Sequence, residues 1–288
     1  MPQIMHFKRF GRRYIWLTLL LTVWAGGCST LQPPDPNGPR STAPAYPVSL
    51  VDEANMREGA LITWRQLAPR YGGSDQATVS LDPLTATINA LPTNLKNPIL
   101  LPKVGVEATQ TEEETRESLR RFINDWRALI GAEPAHLSLI ERIDEPSGIK
   151  VARYEQRPFR YALRGGFGKL LIRFTSNRQL VELSSTCLRN ADRLQTALST
   201  ITPKVTAEEA VAHIRGRTVN LTDFNGRTQS FTLSANENAE ATQVVVYALP
   251  SSDRSTLELH VAWEIETPNA PAKRIYLDAV SDQIIAAE

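Results

Sequence analysis

The chain has 288 residues, 42% of them hydrophobic and 22% charged, an ordinary globular composition with room for one or two cored domains. Its 32 basic residues face 31 acidic ones; residues 1–27 hold Lys8, Arg9, Arg12, Arg13 and no acid, so the remainder has 28 against 31, a net of −3. A nucleic-acid binder needs a concentrated basic face, and nothing in this balance points to that class, so no nucleic-acid partner is expected.

Lys8 to Arg13 form a positive n-region, and Tyr14 to Trp24 form an apolar run too short to span a bilayer, the grammar of a targeting segment. Ala25-Gly26-Gly27-Cys28 follows and resembles a bacterial lipobox, in which the cysteine is diacylated and becomes the new N-terminus; Ala25 stands where a leucine is usual. Residues 1–27 are expected to be a lipoprotein signal peptide; the competing reading is an ordinary secretory peptide with an incidental cysteine. Residues 28–58 are expected to be lipidated Cys28 and a tether, proline-rich and polar over Ser29 to Pro47. Acyl chains add about 0.8 kcal/mol per buried CH₂, so several give a durable membrane anchor. Ser29 leans toward the outer membrane, facing the periplasm, if the source is Gram-negative. Cys187 then lacks an intramolecular partner and is expected to be buried as a small hydrophobe.

Between Val51 and Pro69, Ala60, Leu61, Trp64, Leu67 and Ala68 keep helical spacing, although Gly59 and Pro69 disfavour a helix. Tyr71 to Leu101 reads as short strands and turns. Thr111 before Glu112-Glu113-Glu114 is a capping box, and the stripe Leu119, Phe122, Ile123, Trp126, Leu129, Ile130 runs to a stop at Gly131, with Trp126 a buried anchor. Ile149 to Ser185 predicts consecutive antiparallel strands: Leu170, Ile172 and Phe174 alternate with Lys169, Leu171 and Arg173, and Thr175 to Arg178 turns the chain into Leu180 to Leu183. Gly165-Gly166 falls where the chain must change direction or admit a close neighbour. Thr206 with Glu209 repeats the capping box, with Ala207, Ala210, Val211 and Ile214 as the stripe and Gly216 as the stop.

The remainder is β-rich. Phe231/Leu233 and Val244/Val246 precede Leu257, Leu259, Val261, Trp263 and Ile265, one apolar face opposite Glu258, His260, Glu264 and Glu266, with Trp263 a second buried anchor. Ile275 to Ala279, a turn at Ser281-Asp282 and Gln283 to Ala286 close the sheet. The fold class is α+β, each half packing one amphipathic helix on one curved antiparallel sheet.

Tyr154-x-Gln156, then Gly165-Gly166 nine and ten residues beyond the glutamine, then an apolar strand, resembles the FTP-type propeptide module found in front of thermolysin-like and fungalysin-like zinc metalloproteases. Leu81 to Thr87 resembles its strand–turn–strand opening, with Ala86 where that family usually has glycine. The second half resembles the PepSY module that follows FTP: Thr206 to Ala210 matches its opening helix, Val261-Ala262-Trp263 a strand, and Tyr276-Leu277-Asp278-Ala279 with Ser281-Asp282-Gln283 the closing hairpin. The resemblance covers roughly Val79 to Glu288 and implies an FTP-like domain at 59–200 and a PepSY-like domain at 201–288. Arg160 stands where the family's loop has a turn glycine, so the loop at Pro158 to Leu163 must differ.

None of His6, His136, His213 and His260 lies in a His-Glu-x-x-His motif, and His213 and His260 read as solvent-facing. There is no Gly-x-Ser-x-Gly, phosphate loop or Cys-x-x-Cys. No enzymatic activity, cofactor or metal is expected. The resemblance implies a non-enzymatic envelope lipoprotein that binds a separately encoded secreted zinc metalloprotease and inhibits it or assists its folding. Partner contacts are expected at Gln156, Arg160 and Tyr161 and at Ala286, Ala287 and Glu288, whose terminal carboxylate would approach the partner's zinc like a cleaved product; the competing reading of these last three is a frayed end. Gly165, Gly166, Trp126, Trp263 and Asp278 are expected to be structural. The alternative is an envelope scaffold with no protease partner, since fold does not fix function.

Overall fold

Two capping boxes and a set of alternating strands lay out the architecture. A computed structural model describes residues 45–51, 54–73, 78–106, 110–157, 159–222, 227–251 and 255–288; Cys28, the signal peptide and most of the tether lie outside the described residues. The first half contains β1 (Val48–Val51), α1 (Ala54–Leu67), β2 (Ser80–Leu81), β3 (Ile88–Ala90), α2 (Glu112–Asp125), α3 (Arg127–Ile130), β4 (Leu137–Asp144), β5 (Ile149–Gln156), β6 (Ala162–Arg164), β7 (Lys169–Thr175), β8 (Leu180–Ser185) and α4 (Ala191–Ser199). The second contains α5 (Ala207–Ile214), β9 (Thr218–Thr222), β10 (Thr228–Thr232), β11 (Glu240–Pro250), β12 (Thr256–Glu266), β13 (Arg274–Asp278) and β14 (Ile284–Ala287). The class is α+β, helices packed on antiparallel sheets.

The first sheet runs β4-β5-β7-β8, all antiparallel. Leu170, Ile172 and Phe174 of β7 point inward and meet Trp64 from α1, Leu119 and Phe122 from α2, and Leu129 from α3. Helix α2 starts as its sequence dictates: the Thr111 hydroxyl accepts from the Glu114 N–H (3.2 Å), and the Glu114 carboxylate accepts from the Thr111 N–H (2.8 Å). Trp126 interrupts the helix, stacks on Phe122 with ring centroids 5.0 Å apart, and is 2% exposed. Thr111→Ala should cost about 1 kcal/mol and lower Tm by roughly 2–4 °C; an unchanged melting curve would show that the box contributes nothing.

The second sheet runs β14-β13-β12-β11-β6, with β1 paired to β12. Leu194 and Leu198 of α4 and Ala210 and Ile214 of α5 cover one face, seated on Leu257, Leu259, Val261 and Ile265. Thr206 and Glu209 cap α5 reciprocally. Between α5 and β11, β9 and β10 pair antiparallel with each other as a separate two-stranded sheet.

The architecture departs from expectation at five points. Val48–Val51, expected to lie in the tether, is a strand, and α1, though inside the stretch Val51 to Pro69 read as helical, starts at Ala54, ahead of the FTP-like domain expected from 59, so residues of 28–58 belong to the fold. Helix α4 was not legible: Asn190 precedes it at φ 55° with no side-chain cap, so the usual N-terminal signature is missing. Strand β6 leaves the first half and pairs parallel to β11, crossing the division expected at 200/201, and Ala43–Glu288 forms one compact unit. Strand β12 is buried on both faces at its centre: His260, Ala262 and Glu264 are enclosed because Tyr247 and Tyr276 lie beside them on the second face and Arg164 reaches Glu264. Trp263 is only half-buried, between two apolar clusters, with its indole N–H donating to the Val205 carbonyl (2.8 Å).

Candidate partner-binding site

The connection from β5 to β7 carries most of the residues expected to meet a partner. Its first residue does something else. Gln156 continues the inward alternation of Ala152 and Tyr154, is 3% exposed, and clips the chain after β8: its Nε2 donates to the Leu188 carbonyl (2.8 Å) and its Oε1 accepts from the Leu188 N–H (2.8 Å). It is a buried structural residue, and the period-two pattern of β5 could have placed it inward. Gln156→Ala leaves both Leu188 main-chain groups unpaired and should cost about 2 kcal/mol. Urea unfolding checks this; an unchanged midpoint would mean that water replaces the clip.

Arg160 and Tyr161 are where a partner could touch them. Arg160 is exposed, its N–H donates to Gln195 Oε1 (2.7 Å), and its guanidinium carbon lies 5.1 Å from the Tyr161 ring centroid, a cation–π contact. Tyr161 is half-buried and packs, with Phe159 and Phe167, against the core of the second sheet. Arg164 continues inward and donates from Nε to the buried Glu264 (2.7 Å), which also accepts from Gln243 (3.1 Å). Burial works to raise the Glu264 carboxyl, but these two donors outweigh it and hold it below the usual carboxylate range. A groove of about 490 Å³ opens between this loop and the start of β7. Phe159, Tyr161 and Phe167 contribute apolar surface, and Arg157, Arg164 and Lys169 stand there against a single acid, Glu155, which pairs with Arg157 (3.2 Å). Arg157, Phe159 and Lys169 were missed from sequence; the basic–aromatic mixture in a segment too long for a tight hairpin was the available signal.

Gly165 and Gly166 turn the loop back, at φ +86° and +85°. Gly165 also sits against β11, where an added Cβ would stand 2.1 Å from the Ala248 carbonyl oxygen, whereas one on Gly166 would meet open space.

The C-terminal residues are placed elsewhere. Ala286 and Ala287 lie opposite Tyr276 and Ile275 in β14, at the far edge of the sheet from β6. Four strand spacings separate those edges, roughly 19 Å. The Glu288 N–H donates to the Arg274 carbonyl (2.9 Å), and its main-chain oxygen accepts from Lys273 (2.6 Å) and Arg274 (3.0 Å). Its side chain accepts from Tyr276 (3.2 Å) and Tyr247 (3.4 Å). These residues are neither frayed nor held out toward a partner's zinc, because the ladder to β13 uses their main chain.

Asp278 is fully buried and is the hub of the second sheet. It accepts from His260 (2.7 Å), from the Tyr46 hydroxyl (2.7 Å) and from the Val280 and Ser281 N–H groups (2.8 Å each). Burial pushes its carboxyl up, but the His260, Ser281, Tyr46 and Val280 donors prevail and hold it at about 2. His260, expected to face solvent, is therefore a buried partner of Asp278; His213 is half-exposed and bonds Asp282 (2.8 Å). Tyr46 also accepts from the Val261 N–H (3.1 Å), filling the stretch of β12 between the pairings with β13 and β1. Burial and the adjoining Asp278 push the Tyr46 phenol far up. Cys187 is buried, and burial raises its thiol to about 11, as suits a core side chain. Among the described residues, no group of three or more His, Cys, Asp or Glu side chains is placed to hold a metal ion, and no helix is long and apolar enough to cross a membrane.

Compared with known proteins, the chain matches no family model and no curated sequence.

Proposed function

We propose that this chain is a non-enzymatic, lipid-anchored envelope protein that binds a separately encoded secreted zinc metalloprotease and inhibits it or assists its folding. The observation that carries the reading is the loop between β5 and β7. It keeps Arg160 and Tyr161 available beside a grooved, net-basic surface while the close approach of Gly165 to β11 and the Arg164–Glu264 pair hold it against the second sheet. Such a preorganised loop loses little conformational freedom on binding. The resemblance to FTP and PepSY propeptides supplies the partner class.

A second reading, an envelope scaffold with no protease partner, is favoured by one observation. The C-terminal residues are locked into the sheet edge rather than available for a protease cleft. Capture of the tagged, full-length protein from native envelopes, with mass spectrometry of what co-purifies, separates the two. A zinc metalloprotease in near-equal amount, inhibited or refolded by the purified protein, supports the first. Its absence, with other envelope proteins in its place, rejects it for the second.

A further inference from the structure

We infer that the groove beside β6 receives an extended, acidic segment of a partner protein, which adds as a strand to the free edge of β6. This deepens the partner-binding reading and rests on it. Residues of a strand alternate between faces, yet Ala162, Leu163 and Arg164 all line the groove, so β6 turns an edge toward it. Its other edge is taken by β11, and no main-chain group of another described residue bonds to the groove side. Unpaired strand edges are templates for added strands, with main-chain hydrogen bonds giving affinity and alternate side chains giving specificity.

The chemistry of the groove chooses the occupant. Glu155, its one acid, is already paired with Arg157, and Arg164 is paired with Glu264. Lys169 and the nearby Arg160 guanidinium have no carboxylate partner among the described residues, and both are exposed. Lys169 in the groove and Arg160 over the Tyr161 ring, with half-buried Phe159, Tyr161 and Phe167, fit a strand that alternates carboxylates with apolar side chains. The longer edge strand β4 is a poorer host. It bulges between Leu139 and Glu141, and Glu141 is paired with Arg153 on its own sheet, devices that blunt an edge.

The test uses the full-length protein in detergent micelles and a fluorescent ten-residue peptide of alternating Asp and Val. Its controls are the Lys/Val counterpart and two Asp/Val peptides N-methylated on one or the other alternate set of residues. Saturable anisotropy binding of the Asp/Val peptide is expected. One N-methylated version should lose at least tenfold, because only one set of N–H groups can face β6. The double variant Arg160→Gln, Lys169→Gln should weaken binding five- to tenfold with an unchanged Tm. No binding, equal binding of the Lys/Val peptide, or indifference to both N-methylations would overturn the proposal. So would capture of phosphatidylglycerol vesicles by the same two cations without peptide binding, which would make the groove a lipid-headgroup surface. Because the peptide is synthetic, this result is independent of what co-purifies from envelopes. Peptide binding without a recovered protease keeps the groove and removes the protease, while a recovered protease without peptide binding does the reverse.

Discussion

Gly165→Val should cost more than about 3 kcal/mol, a fall in Tm of roughly 6–12 °C. Two penalties combine. A branched side chain is forced into the left-handed region at φ +86°, and its Cβ would lie 2.1 Å from the Ala248 carbonyl oxygen, which is main chain in β11 and cannot swing aside. Gly166 is the internal control, since its φ is nearly the same but nothing lies within 4 Å of an added Cβ. Gly166→Val should therefore be milder by about 1–3 kcal/mol. Equal melting temperatures for the two variants would show that backbone strain alone matters and that Gly165 does not approach β11 this closely.

Asp278→Ala should cost about 3–5 kcal/mol, because it strands His260, the Tyr46 hydroxyl and two N–H groups in a buried site. The same carboxylate makes an acid-side prediction. Its folded value is about 2 against an ordinary 3.8, so it favours the fold fully above about pH 4, and that contribution is lost as pH falls through about 2. The shift corresponds to about 2 kcal/mol. Urea unfolding between pH 2 and 5 should show wild-type stability falling more steeply than that of Asp278→Asn; parallel curves would mean that another group carries the acid dependence.

Local chemistry was readable in the sequence and long-range chemistry was not. The boxes Thr111/Glu114 and Thr206/Glu209 lie within one helical turn, and both form as expected. The alternation of Leu170, Ile172 and Phe174 set the inward face of β7 for the same reason. His260 and Glu264 fall on the polar side of an alternating strand, and their burial depends on Tyr247, Tyr276 and Arg164, far away along the chain. Tyr46 sits in a proline-rich stretch with the composition of a spacer, yet its hydroxyl completes a strand ladder. In the candidate site, Arg160 and Tyr161 were legible as a departure from the resembling family's loop. Gln156 was misplaced because its role depends on Leu188, brought to it only when β8 pairs with β7.

The strands that β1 and β6 contribute to the second sheet have a bearing on how the chain becomes native. Tyr46 and its contact at Val261 are 215 residues apart, so β1, the first strand among the described residues, waits for most of the chain before its partner β12 is made. Contacts of such sequence separation close late and slow folding. A fragment ending after Ser199 would carry β1 and β6 with bare edges, and residues 201–288 alone would leave β11 and part of β12 uncovered. The two halves are therefore expected to become native together, because β1 and β6 find their partners only in β12 and β11.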